Sequence, residues 1–134
     1  MSGFGVAHID ELEPAPDGDD GAWRPVRNRF GIQAFGANAW VADAGGEVIE
    51  EHTETEGDVE AHEELYVVVS GRATFTVDGD PIDAPAGTLV AVTDPDLVRK
   101  AVAAEDGTAI VAIGAPRGAP YRVAGWEAGR LGIG

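Results

Sequence analysis

The stretch His62-Glu63-Glu64-Leu65-Tyr66-Val67-Val68-Val69-Ser70-Gly71-Arg72-Ala73-Thr74-Phe75-Thr76-Val77-Asp78-Gly79-Asp80 decides the fold. Leu65–Val69 and Ala73–Val77 are rich in β-branched and aromatic residues and are joined at Ser70-Gly71, which reads as two paired strands. Asp78-Gly79 is a strong two-residue hairpin signal. Downstream, Pro81–Ala84, Thr88–Val92, Leu97–Ala103 and Thr108–Ile113 read as further short strands. They are stopped by Pro85-Ala86-Gly87, Thr93-Asp94-Pro95-Asp96 and Glu105-Asp106-Gly107. Upstream, Gly31–Ala42 is apolar on both faces at period two, as in a strand covered on two sides. Asp43-Ala44-Gly45-Gly46 is a turn, Glu47–His52 a second strand, and residues 53–61 a loop. Strands every roughly 8–12 residues with turn signals between them predict an all-β sandwich or small barrel.

The flanks are different. Residues 1–30 form an N-terminal arm. Within it, residues 7–12 are a candidate edge strand and residues 13–22 a loop with two prolines. Trp23–Phe30 is either one helical turn or an irregular basic patch, whose three arginines partly neutralise an acidic body. Residues 114–134 form a C-terminal tail, expected to pack through Tyr121 and Trp126 on the barrel or on a partner subunit. His8 lies among no other ligand-type residues and reads as surface.

Bulk properties exclude several classes. The 134 residues make one domain with enough chain for a core. The formal net charge of -15, with no Lys or Arg between Arg29 and Arg72, argues against nucleic acid and against anionic membranes. With no cysteine there is neither a disulfide framework nor a thiolate metal site. The N-terminus has no signal-peptide pattern and no apolar run reaches the roughly 20 residues of a spanning helix, so a cytoplasmic protein is expected.

Chemistry concentrates at residues 50–64, which hold eight carboxylates and two histidines without a Lys or Arg. His52 and Glu54 are two apart and share a strand face, as do His62 and Glu64. If both pairs look inward, His52, Glu54, His62 and Glu64 offer imidazole and carboxylate ligands suited to Zn, Mn, Fe or Ni. The competing reading is a solvated acidic loop, with Glu64 paired to a nearby base, Arg99 being the obvious one. Trp40 and Tyr66 are inward aromatics, readable as ligand contacts or as plain core.

The middle of the chain, residues 31–113, resembles a cupin. The family's first motif is a glycine, five residues, His-x-His, three or four residues, Glu, six residues and Gly. Gly46, His52, Glu64 and Gly71 fit its ends. Glu54 stands at the second histidine, and an insertion brings in His62. Of the second motif, Gly87 fits the start, while Thr93, Pro95, Val98 and Val102 occupy the Pro, Gly, His and Asn places. By that spacing Val98 faces inward and Arg99 outward; a shift of one residue reverses the two.

The resemblance implies a double-stranded β-helix, or jelly-roll barrel, with short arms outside it. It implies a homodimer too, which would cover Leu65, Val67 and Val69 on the outer face. It implies either a small-molecule-binding barrel, with Trp40, Tyr66 and Arg99 as ligand contacts, or a metal-dependent dioxygenase, isomerase or cyclase using His52, His62 and Glu64. Because this barrel hosts many activities, the fold alone does not choose.

Overall fold

A computed structural model describes residues 3–15, 22–55 and 61–131. Among these residues nine strands and two short α-helices follow one another: β1 (Trp23–Arg24), α1 (Val26–Phe30), β2 (Gly36–Ala42), β3 (Glu47–His52), β4 (His62–Ser70), β5 (Arg72–Val77), β6 (Asp80–Pro85), β7 (Leu89–Val92), β8 (Arg99–Ala103), β9 (Thr108–Pro116) and α2 (Gly125–Leu131). They form two antiparallel sheets, ordered β1-β2-β9-β4-β7 and β3-β8-β5-β6. This is the jelly-roll arrangement the sequence predicts. Among the described residues no helix is long and apolar enough to cross a membrane.

Alternation along the strands builds the core. On β4, Tyr66 and Val68 are buried while Leu65 and Val69 are exposed; on β5, Ala73 and Phe75 are buried. Tyr66 and Phe75 meet across the two sheets with ring centroids 5.5 Å apart. Ile49, Val92, Ala101 and Ile110 complete this layer.

The turns explain the glycines of the first motif and the hairpin. Asp78 and Gly79 have φ of 51° and 84°, the left-handed pair a type I′ turn requires. At Gly71, φ is 71° and a Cβ would stand 2.5 Å from Thr108 Oγ1. Thr108 cannot withdraw, because its hydroxyl donates to the Glu105 carbonyl at 2.7 Å and accepts from the Arg72 N–H.

Three expectations are corrected. Residues 7–12 form no strand; Ile9–Glu11 is a 3₁₀ turn capped by His8, whose Nδ1 accepts from Asp10 N while Glu11 Oε1 accepts from His8 N. That local exchange satisfies the backbone more cheaply than a lone edge pairing. The strand expected from Gly31 starts at Gly36, because Gly31 adopts φ 71° to cap α1. In the loop expected at 53–61, residues 56–60 lie outside the described residues. Trp23–Phe30 divides between β1, which pairs with β2, and the single helical turn α1. The tail carries a helix, and β9 runs on to Pro116.

The third correction concerns Val98 and Arg99. Val98 is 43% exposed, whereas Arg99 is fully buried. The β3–β8 pairing shifts register at two places before His52 meets Arg99. Those irregularities supply the one-residue change that turns the guanidinium inward.

Candidate functional site

The barrel holds a pocket of about 290 Å³ that opens to solvent. Its wall is polar at His52, Glu54, His62 and Glu64 and aromatic at Trp23, Trp40, Tyr121 and Trp126. Glycines make the space. Gly114 pairs with Glu64 across β9 and β4 and with Gly36 across β2. A Cβ on Gly114 would come within 3.2 Å of Glu64 Cγ, and one on Gly36 within 3.2 Å of the Tyr121 ring.

His52 ends β3, and both its ring nitrogens face acceptors. Nδ1 lies 2.7 Å from the Glu50 carbonyl and Nε2 lies 2.9 Å from Glu54 Oε2. A carbonyl can only accept, so the imidazole donates there; the carboxylate asks for a donor on the other side too. The ring is therefore an imidazolium. Burial alone would lower its pKa, but the contacts with Glu54 at 2.9 Å and with the Glu50 carbonyl, and the Glu64 carboxylate 3.7 Å away, outweigh that and lift it to about 10.

Glu54 is held in place by its backbone, whose N–H donates to the Pro95 carbonyl at 2.9 Å. Glu64, inward on β4, accepts from the Tyr66 hydroxyl and, at 3.3 Å, from Arg99 Nη1. Burial would raise the Glu64 pKa; the nearby His52, the bond from Tyr66 and the charge of Arg99 reverse this and hold it below the usual carboxylate range. Burial, then the Glu64 charge, push the Tyr66 phenol far up, so it stays a neutral donor. Arg99 Nη1 also stands 3.7 Å from Glu54 Oε2, and Nη2 donates to the Asp94 carbonyl at 3.4 Å.

The group is therefore charge-balanced: carboxylates Glu54 and Glu64 face cations Arg99 and His52. His62, expected among the ligands, stands apart. Its Nδ1 is 3.8 Å from Glu54 Oε1, too far for a hydrogen bond. Its ring meets that of Tyr121 at 5.5 Å, tilted by 44°. Among the described residues, His62 Nε2 and Arg99 Nε are the buried side-chain polar atoms without a hydrogen-bond partner.

His52, Glu54 and Glu64 each bring one ligand atom within 4.8 Å of the others, a donor set of the right chemistry for a divalent ion. The surroundings fit such an ion poorly. A permanent guanidinium shares both carboxylates, and His52 has no lone pair until it loses a proton.

Of the candidate ligand contacts, Trp40 and Tyr66 line the cavity, while Arg99 lies behind the carboxylates. Sequence reasoning did not place Trp23, Asn38, Glu127 or Arg130 on the wall. The aromatic tail was the usable signal for Trp126, whose ring centroid lies 5.1 Å from that of Trp23. The buried pair Arg27–Glu127, at 2.8 Å and 100 residues apart in sequence, has no local signal at all.

Comparison with solved structures gives the same architecture throughout. A double-stranded β-helix protein from Klebsiella pneumoniae matches at 20% identity and TM-score 0.64, over 89% of this chain and 96% of that one. A cupin from Bacteroides fragilis matches at 22% identity and TM-score 0.61, over 84% and 91%. An RmlC-like cupin from Shewanella frigidimarina matches at 21% and 0.60, over 84% and 91%. No family model and no curated protein matches the chain. The chain has the cupin fold.

Proposed function

We propose that this cupin-fold chain is a binding module for a small organic molecule, held in the barrel cavity against the His52–Glu54–Glu64–Arg99 base and needing no metal. The observation that carries this reading is the buried guanidinium of Arg99. It already provides the counter-charge that the two carboxylates would otherwise take from a metal ion. The remaining surface, indoles and a phenol around a few fixed polar groups, is the usual composition of an organic ligand site. A cytoplasmic setting and a homodimer belong to this reading. The second copy would meet the outer face of β4, β7 and β9, where Leu65 (37%), Val69 (44%), Leu89 (63%) and Ile113 (40%) are exposed beside the Glu63–Arg117 ion pair.

The test is a thermal-shift screen of small organic compounds, followed by titration of the hits. A ligand at about a hundred times its Kd stabilises the fold by about 2.7 kcal/mol. We expect Trp40→Ala, which removes a wall of the cavity, to abolish that stabilisation. Hits that bind Trp40→Ala as well as the wild type place the ligand elsewhere and sink the reading.

A second reading, a metal-dependent enzyme of dioxygenase, isomerase or cyclase type, is favoured by the convergence of His52, Glu54 and Glu64 and by the unpartnered Nε2 of His62. It requires His52 to be neutral, and metal content decides it.

A further inference from the structure

Three carboxylates on the cavity wall are held in the same way. Glu64 Oε1 accepts from the Tyr66 hydroxyl and from Arg99 Nη1. Glu54 Oε2 faces His52 Nε2 at 2.9 Å. Glu127 Oε2 accepts from Nε and Nη2 of Arg27, at 2.9 and 2.8 Å. In each, one oxygen meets a cation of the chain. The other oxygen, Glu64 Oε2, Glu54 Oε1 or Glu127 Oε1, accepts no hydrogen bond from the described residues; for Glu54 Oε1, His62 Nδ1 at 3.8 Å is too far. Among those residues the buried side-chain polar atoms without a partner are His62 Nε2 and Arg99 Nε. The three oxygens are therefore open at the wall, although Glu127 as a whole is only 3% exposed.

The guanidiniums of Arg27 and Arg99 are buried, at 6% and 0% exposure, while their carboxylate partners line the cavity. The wall thus offers acceptors whose charge is already matched: Glu54 and Glu64 by His52 and Arg99, Glu127 by Arg27. Glu50 and Arg130, also on the wall, are opposite in sign. An anion would meet three bare oxygens. An organic cation would give up hydration for carboxylates that already have a counter-charge. Uncharged hydroxyl groups fit best, because a carboxylate can only accept and an O–H···O⁻ bond is among the stronger hydrogen bonds. Trp40, Tyr121 and Trp126 lie on the same wall, and the negative face of an aromatic ring attracts the positively polarised C–H groups of a saturated ring. The volume of about 290 Å³ is at the small end for organic ligands, which use roughly 300–1,000 Å³.

We infer that the ligand is a small uncharged polyol, a monosaccharide or a cyclitol, whose hydroxyls donate to the open oxygens of Glu54, Glu64 and Glu127 and whose C–H groups pack on Trp40 and Trp126. This rests on the cavity being the binding site, and the experiment separates the two claims.

The full chain, labelled with ¹⁵N, is titrated with D-glucose, D-mannose, D-galactose and myo-inositol while the three tryptophan indole N–H resonances are followed. The comparison probes are D-glucuronate, cyclohexanol and D-glucosamine at about pH 6, where its amine is protonated. At least one neutral polyol is expected to shift the indoles and to saturate at a concentration at least about tenfold below all three comparison probes, the factor one charge-assisted hydrogen bond gives. Its Kd is expected to change less than about twofold between low and high salt, since no ion pair forms. Glu127→Gln and Glu54→Gln are each expected to weaken it about tenfold with the amide spectrum retained; if Glu127→Gln unfolds by stranding Arg27, Glu54→Gln decides. Tighter binding of glucosamine or glucuronate than of every neutral polyol overturns the uncharged class and leaves the cavity reading standing. Equal binding of cyclohexanol overturns the role of the hydroxyls. Unchanged binding in the folded variants overturns the role of the open oxygens. No indole shift with any probe overturns the inference, while the Trp40→Ala test judges the cavity independently.

Discussion

At the scale of single residues, the site is governed by where protons and fixed charges sit. His52 is charged in the fold because two acceptors flank it, and its pKa rises from 6.5 to about 10. The favourable contribution of a group with a raised pKa is complete below its unfolded value and fades as pH climbs through the folded one. Glu64, held low, acts in the opposite sense: its contribution is present above 4.5 and lost as pH falls through its depressed value. Stability measured by urea unfolding should therefore be greatest between about pH 4.5 and 6.5 and decline towards pH 10. In His52→Gln the alkaline decline should flatten. A decline unchanged in that variant would show that His52 does not carry the charge assigned to it. Arg99 is the residue whose role the sequence left undecided. Its identity and its place beside Val98, at the missing motif histidine, made it a partner for Glu64, but its direction hung on register, and no local signal announces the irregular β3–β8 pairing.

At the scale of elements, glycines and hairpins were readable because each answers a local geometric demand. Gly71 needs both its left-handed backbone and its missing Cβ, since the space beside it is filled by a buried, doubly bonded Thr108. Gly71→Ala should cost more than about 2 kcal/mol in chemical denaturation, from backbone strain together with the clash. Gly79→Ala, with nothing within 4 Å of its Cβ, should pay only the backbone part. Similar losses at the two positions would contradict the steric account. The arms were less readable. Two residues of β1 do not make a period, and the 3₁₀ turn at Ile9–Glu11 depends on side-chain caps that a strand pattern ignores.

At the scale of the whole molecule, the two arms meet over the cavity, joined by Arg27–Glu127 and by Trp23–Trp126. Contacts spanning 100 residues leave no trace in local sequence, which is why Trp40 and Tyr66 were legible as wall residues while Trp23 and Glu127 were not. The outer face of the β9-β4-β7 edge sets the expected assembly. Light scattering behind size-exclusion chromatography should give twice the chain mass of 13.9 kDa, and Leu89→Lys should return the monomer. A wild-type monomer across the micromolar range would remove the second copy from the proposal.

The central claim is that Arg99 and His52 neutralise the two inward carboxylates without help from a metal ion. The most direct measurement is the metal content of wild-type protein purified without chelator, read together with its melting temperature before and after chelation. Well under one ion per chain and an unmoved melting temperature are the predicted result. Near-stoichiometric metal that vanishes in His52→Ala, with a melting temperature that drops on chelation, would contradict it.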